Sequence, residues 1–146
     1  MKFIKISIVL AIIFSLTGCA TSITPFDQRK NLPNDRIYAY NKKTEERTAI
    51  ITITRDKGMA GCACKIALYI NTQLAGRFST KETSQFYVEP GEVLLKVGQD
   101  PYGNGICSWE FGDISSQRET FIKAGENKSY RIRINPYGDM DIQRSD

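Results

Sequence analysis

From Thr48 onward, apolar and polar residues alternate one by one in segment after segment, and that spelling restricts the fold more than anything else in the chain. In "SYRIRIN", Tyr130, Ile132 and Ile134 fall on one side and Arg131 and Arg133 on the other. A strand points successive side chains to opposite faces, so such a segment has one dry face and one wet face. "TAIITIT", "KIALYIN", "LAGRFS", "QFYVE", "EVLLKVG", "RETFIKA" and "DMDIQR" repeat the pattern. In "KIALYIN", Ile66, Leu68 and Ile70 share a face, opposite Ala67 and Tyr69. Turn-forming residues separate these runs: Asn71, "EPGE", "DPYGNG", "AGEN" and "PYGD". Glycine and asparagine tolerate the positive φ of tight turns, and proline pre-sets the first corner. No segment carries a helical apolar stripe. The expectation is an all-β fold of about seven or eight short strands, a small antiparallel β-sandwich of immunoglobulin-like or similar build.

With 146 residues the chain has room for one domain with a real core. Its formal charge is +4, from 20 basic and 16 acidic residues, and Lys2 and Lys5 of the N-terminal segment supply two of the positive charges. The remainder is nearly balanced and scattered, without the basic stripe that nucleic acid requires, so no nucleic-acid partner is expected. Histidine is absent. That removes the commonest general base and the usual partner of a nucleophilic serine or cysteine. The expectation is a protein that is not an enzyme and carries no cofactor.

"MKFIK" gives a positive start, followed by the uncharged run "ISIVLAIIFSL" of eleven residues. As a helix that run reaches about 16 Å, against about 30 Å for a bilayer core. It is a signal-peptide core rather than a membrane span. "LTGC" follows at Leu16 to Cys19 and resembles the bacterial lipoprotein box, in which the cysteine thiol takes a diacylglyceryl group before cleavage. The resemblance implies a signal peptide over 1–18 and a membrane partner reached through lipid, palmitate included, on Cys19. Each buried methylene contributes about 0.8 kcal/mol, so two or three acyl chains hold where one is marginal. Ala20, rather than aspartate, follows the cysteine. By resemblance to sorting in Gram-negative bacteria this implies the outer membrane, facing the periplasm. "ATSITPFDQRKNLPND", with Pro25 and Pro33, then reads as a flexible tether over 19–46, broken only by a short strand at "RIYAY". The sandwich domain is expected over 47–146.

Three cysteines remain inside the domain: Cys62, Cys64 and Cys107. In an oxidising compartment a nearby pair becomes a disulfide. A Cys64–Cys107 bond closes a loop of about 44 residues and stabilises by about 4 kcal/mol on the chain-entropy view. Cys62 is then free, intermolecular, or a competitor for Cys107. The rival use is a metal site, but a closed zinc site takes four ligands, usually with C-x2-C spacing, and no histidine is present to complete it. "GCAC" at a strand start also lacks the C-x-x-C of thioredoxin-like redox motifs. No metal is expected.

Among other residues, Trp109 and Tyr102 stand out as ligand contacts, since an aromatic near the "DPYGNG" loop can stack a sugar ring or a small ligand. The structural alternative for Trp109 is packing on the sandwich core or its rim. Asp100, Asp113, Asp139 and Asp141 lie in or near loops, but their spacing matches no calcium loop, and turn formation accounts for them.

"RDKGMAGCACKIALYINTQLAGRF", "VEPGEVLLKVGQDPYGNGICS", "QRETFIKAGENKSYRIRI" and "GDMDIQRSD" together resemble a family of small bacterial envelope lipoproteins, some of which carry the name 3-isopropylmalate dehydratase. The resemblance spans Arg55 to Asp146. It implies a lipid-anchored β domain, with one cysteine seven residues before the strand-ending asparagine and another after the glycine-rich loop. Those positions are Cys64, before Asn71, and Cys107. Cys62 departs from the family pattern, which has a small residue there. The dehydratase name fails on chemistry: such an enzyme holds an iron–sulfur cluster on three cysteines within a far larger scaffold. The functional expectation is a non-enzymatic interaction module in the cell envelope, with an envelope protein or peptidoglycan as partner. The alternatives are a small-ligand or glycan-binding β domain and a cysteine-based redox or metal sensor.

Overall fold

A computed structural model of the chain describes residues 21–58, 63–108, 115–135 and 137–145. Nine strands occur among them: β1 (Lys30–Asn31), β2 (Ala49–Arg55), β3 (Ile66–Ile70), β4 (Gln73–Phe78), β5 (Glu82–Val88), β6 (Gly91–Gln99), β7 (Ser116–Ile122), β8 (Asn127–Ile134) and β9 (Met140–Arg144). They form a five-stranded sheet in the order β1-β5-β2-β8-β9 and a four-stranded sheet in the order β4-β3-β6-β7. The fold is the all-β sandwich that the alternation predicts.

The dry faces supply the core between the sheets. Ile51 and Ile53 of β2, Phe86 of β5 and Ile132 of β8 meet Leu68 of β3 and Leu95 of β6, all fully buried. Burying each such side chain contributes about 1.5–3 kcal/mol before entropy is charged against it. In β8 the burial of Tyr130, Ile132 and Ile134 and the half-exposure of Arg131 and Arg133 follow the sequence pattern residue by residue.

Two pairings go beyond the antiparallel expectation. β1 runs parallel to β5 and β2 parallel to β8. The chain crosses between the sheets after β2, β4, β5 and β7, and such crossings free neighbouring strands from the reversal that a hairpin imposes. The β3–β4 hairpin is tight. Between β3 and β4, Asn71 and Thr72 both adopt positive φ, and the Asn71 side chain accepts a hydrogen bond from Leu94 N at 2.9 Å.

The stretch read as a flexible tether is different in its described part. Residues 21–40 are strapped onto the sandwich. Thr21 Oγ1 donates to Ile134 O, and Ser22 bridges to Lys57. Thr24 is buried and its hydroxyl donates to Arg55 O. β1 then pairs with β5, Leu32 enters the core, and Leu32 N donates to Thr83 O at 2.8 Å. Pro25 and Pro33 each precede a single 3-10 turn, at Phe26–Gln28 and Asn34–Arg36, where a fixed φ and a missing donor suit the first position. "RIYAY" forms one bridge, Ile37 to Gly76, rather than a strand, and Tyr38 N donates to Ala75 O. Arg36 forms a two-pronged ion pair with buried Glu82. The strap therefore adds β1 outside β5 in one sheet and runs beside β4, the edge strand of the other. An exposed strand edge invites pairing with other chains, and this segment covers both edges on one flank.

Candidate functional site

The loop that follows β6 is built on its first residue. Asp100 Oδ1 accepts from Tyr102 N at 3.0 Å, Gly103 N donates to Asp100 O at 3.0 Å, and Pro101 sits at the corner between them. Asx turns of this kind are what an Asp-Pro opening favours. The loop then doubles back into a 3-10 turn at Gly105–Ser108, where Cys107 N donates to Asn104 O. Gly103 makes the return close: a Cβ there would stand 2.4 Å from Cys107 O. Cys107 is bonded to Cys64, with sulfurs 2.07 Å apart, which pins the loop to the segment entering β3. Gln99 Nε2 adds a hydrogen bond to Cys107 O at 3.1 Å.

A guanidinium organises the outer surface of this loop. Arg77, on the outward side of β4, donates through Nε and Nη2 to the two Asp100 oxygens, each at 2.6 Å. Its Cζ lies 4.8 Å from the centre of the Tyr102 ring, and Nη1 donates to Tyr38 Oη at 3.2 Å. The rings of Tyr38 and Tyr102 are 6.1 Å apart and tilted by 32°. Burial alone would raise the Asp100 carboxyl, but Arg77 and the Tyr102 amide outweigh it and hold the acid below its usual range. The bond to Asp100 also pushes Arg77 further up, so the pair stays charged at any physiological pH. On the neighbouring strand β3, burial and then the Asp100 charge raise Tyr69, which keeps its phenol neutral.

The result is a two-tyrosine patch held from behind by a fixed ion pair. Tyr102 is 62 % exposed and Tyr38 43 % exposed, so both rings present a face and a hydroxyl to solvent. Such a patch can stack on the C–H face of a sugar or on an apolar side chain, and it can hydrogen-bond through the phenols. The patch lies on the flank of the sandwich, because Tyr38 runs beside Ala75 of the edge strand β4.

Of the residues singled out in the sequence, the structure brings Cys64 and Cys107 into a bond and leaves Tyr102 exposed. Cys107 lies in the 3-10 turn. Cys19, Cys62 and Trp109 lie outside the described residues, as does Asp113. Asp100 belongs to the Arg77 pair, Asp139 accepts from Asn135 Nδ2 at 2.8 Å, and Asp141 accepts from Gln143 Nε2 at 2.7 Å. Arg77 and Tyr38 were not foreseen. Arg77 has the spelling of an ordinary wet-face residue, and 39 positions separate the two.

A concavity of about 570 Å³ lies along the strap, lined by Phe26, Arg29, Asn31, Asn34, Thr52 and Gln85 among others. Comparison of the chain with protein-family models, with curated proteins and with solved structures finds no match.

Proposed function

We propose that the chain is a lipid-anchored envelope protein of bacteria, acylated on Cys19 and held at the outer membrane on its periplasmic side. Within that setting it works as a non-enzymatic interaction module, not as a catalyst. The anchor reading is supported by the positive start, the eleven-residue apolar run and "LTGC" ahead of Ala20. It agrees with the resemblance to small envelope lipoproteins. The Cys64–Cys107 bond is of the kind that an oxidising compartment maintains.

The observation that carries the interaction reading is Tyr102, 62 % exposed yet fixed by Asp100, Arg77 and the nearby disulfide. A large aromatic immobilised in advance loses little entropy when a partner covers it, which is how interface anchors work. A photocrosslinker placed in living cells at positions 101–105 tests this. A discrete adduct with an envelope protein is expected, and none from any of the five positions sinks the reading.

The pairing of Tyr102 with Tyr38 favours a second reading, in which the partner is a glycan or another small ligand. Titration with muropeptides, read by chemical shifts of the tyrosine rings, separates the two. Shifts confined to Tyr38 and Tyr102 support the glycan, and a flat response disposes of it.

A further inference from the structure

The described chain begins already fastened. Thr21 Oγ1 lies 2.8 Å from Ile134 O, and Ser22 and Lys57 exchange backbone hydrogen bonds at 2.8 and 3.1 Å. One residue, Ala20, separates Thr21 from Cys19. Consecutive Cα atoms are 3.80 Å apart, so the Cα of Cys19 stays within about 7.6 Å of that of Thr21 in any conformation. A lipid on Cys19 therefore leads directly into a folded edge.

The topology identifies which end of the sandwich this is. β2, β4, β6 and β8 finish there, and β3, β5, β7 and β9 start there. At this end Ile23 is 63 % exposed, Phe26 85 % and Tyr137, in the β8–β9 turn, 91 %. Ile106 of the disulfide-bonded loop is exposed as well. The basic side chains of Arg29, Lys30, Lys57 and Lys81 stand among them, with the Arg29 guanidinium 5.5 Å from the Phe26 ring. Three acids of this end are buried against arginines: Asp56 with Arg131, Glu82 with Arg36 and Asp100 with Arg77. Asp27, Asp35 and Asp139 remain exposed, and Asp141 near the start of β9 is half-buried. The opposite end differs in kind. Its longest loop, "NKKTEE" over 41–46, is exposed throughout and carries four charged side chains, and Phe121 is the one large apolar residue exposed towards that side among the described residues.

We propose that this end of the sandwich rests on the bilayer surface, with Ile23, Phe26 and Tyr137 entering the boundary between headgroups and acyl chains and the basic residues facing anionic phospholipid. The inference rests on the reading of Cys19 as acylated. Aromatic and apolar tips on a basic ground are what an interfacial surface requires, and aromatic rings concentrate at headgroup depth. Anionic lipid attracts basic residues that lie within a Debye length of it. The short lead supplies the rest, since it holds these groups at the surface instead of letting the domain diffuse from it.

The test uses the full, acylated protein in vesicles of phosphatidylethanolamine and phosphatidylglycerol with brominated acyl chains. In a Trp109→Phe background, Phe26→Trp, Tyr137→Trp and, at the far side, Phe121→Trp are compared. Bromine is expected to quench the tryptophans at 26 and 137 and to leave that at 121 bright. Vesicle flotation and the mass of the Cys19 peptide report the anchor separately. Protein that floats, carries lipid and shows no quenching at 26 and 137 overturns the end-on placement alone. Tryptophans at those positions that are shielded from acrylamide but blind to bromine mean that protein covers the face, which overturns it too. An unacylated protein that fails to float overturns both the placement and the anchor.

Discussion

Leu32→Ala distinguishes a strap from a tether most sharply. A tether residue costs nothing to truncate, whereas Leu32 is 4 % exposed and belongs to the main core cluster. Its Cδ2 lies 3.1 Å from where a Cβ on Gly76 would stand, and the Phe78 and Phe86 rings bound the same space at 3.3 Å. Removing three carbons there forfeits their transfer energy and leaves a cavity between two aromatic rings. Leu→Ala changes in cores cost about 2–5 kcal/mol. The site lies at the flank, where the strap can settle inward, so the lower half, about 2–3 kcal/mol, is expected.

Whether the whole loss appears in global stability depends on how firmly the rest of the strap holds. Arg36–Glu82, Tyr38 N to Ala75 O and Tyr87 N to Tyr40 O remain in the variant. Each neutral bond contributes about 1 kcal/mol net, enough together to keep the segment docked. Urea unfolding followed by far-UV circular dichroism then shows a lower midpoint with an unchanged slope, since the slope tracks the surface exposed on unfolding. A slope that falls instead means that the strap detaches before the sandwich opens. A loss under about 0.5 kcal/mol, the range of ordinary surface substitutions, refutes the packing of residues 21–40 altogether.

Replacing both Cys64 and Cys107 with serine removes a link across 43 positions; the expected cost is about 4 kcal/mol, or roughly 15 °C in Tm for a domain of this size, read by calorimetry. Asp100 is held below its usual range, so its contribution is complete above about pH 4 and is lost as pH falls through its lower folded value. Asp100→Asn is expected to be less stable at pH 7 and to show a flatter acid limb than the native protein, and parallel acid limbs would contradict the pairing. Gly103→Ala drives a methyl against Cys107 O; it is expected to disorder the loop, seen as faster amide exchange at Tyr102 and Cys107 with the core strands unchanged.

The strands of the sandwich were legible because their pattern is local. β2, β3, β6 and β8 alternate over five or more residues, and each places in the core the side chains that the alternation predicts. The strap was illegible for the opposite reason. Leu32 is a lone apolar residue between Asn31 and Pro33, and its burial depends on two rings more than forty positions away. β1 is two residues long and exposed on both, so nothing in its spelling marks it as part of a sheet. Prolines that read as linker instead open 3-10 turns. The same limit applies to the tyrosine patch. Tyr102 announced itself through its loop, but Arg77 and Tyr38 join it only once β4 and the strap lie side by side. Disulfide pairing fell between these cases, since the compartment and the number of cysteines narrowed it but Cys62 kept it open.

With Cys19 acylated as proposed, the strap also links that anchor to the patch. The segment that starts two residues after Cys19 ends its climb along β4 with Tyr38, opposite Ala75. Ala75 is three residues from the end of β4 that lies at the same end of the sandwich as Thr21. At about 3.3 Å per residue, Tyr38 stands roughly 10 Å along the strand from that end. If the sandwich stands on the bilayer, the patch runs from Tyr102, in the loop at that end, up to Tyr38 on the flank. A free tether would let the same two rings search a wide volume and meet a distant wall polymer. A strapped domain cannot, because Leu32, Arg36 and Tyr38 fix the path. On the proposed placement, a partner that itself lies at the membrane surface is favoured over one that must be reached across the periplasm.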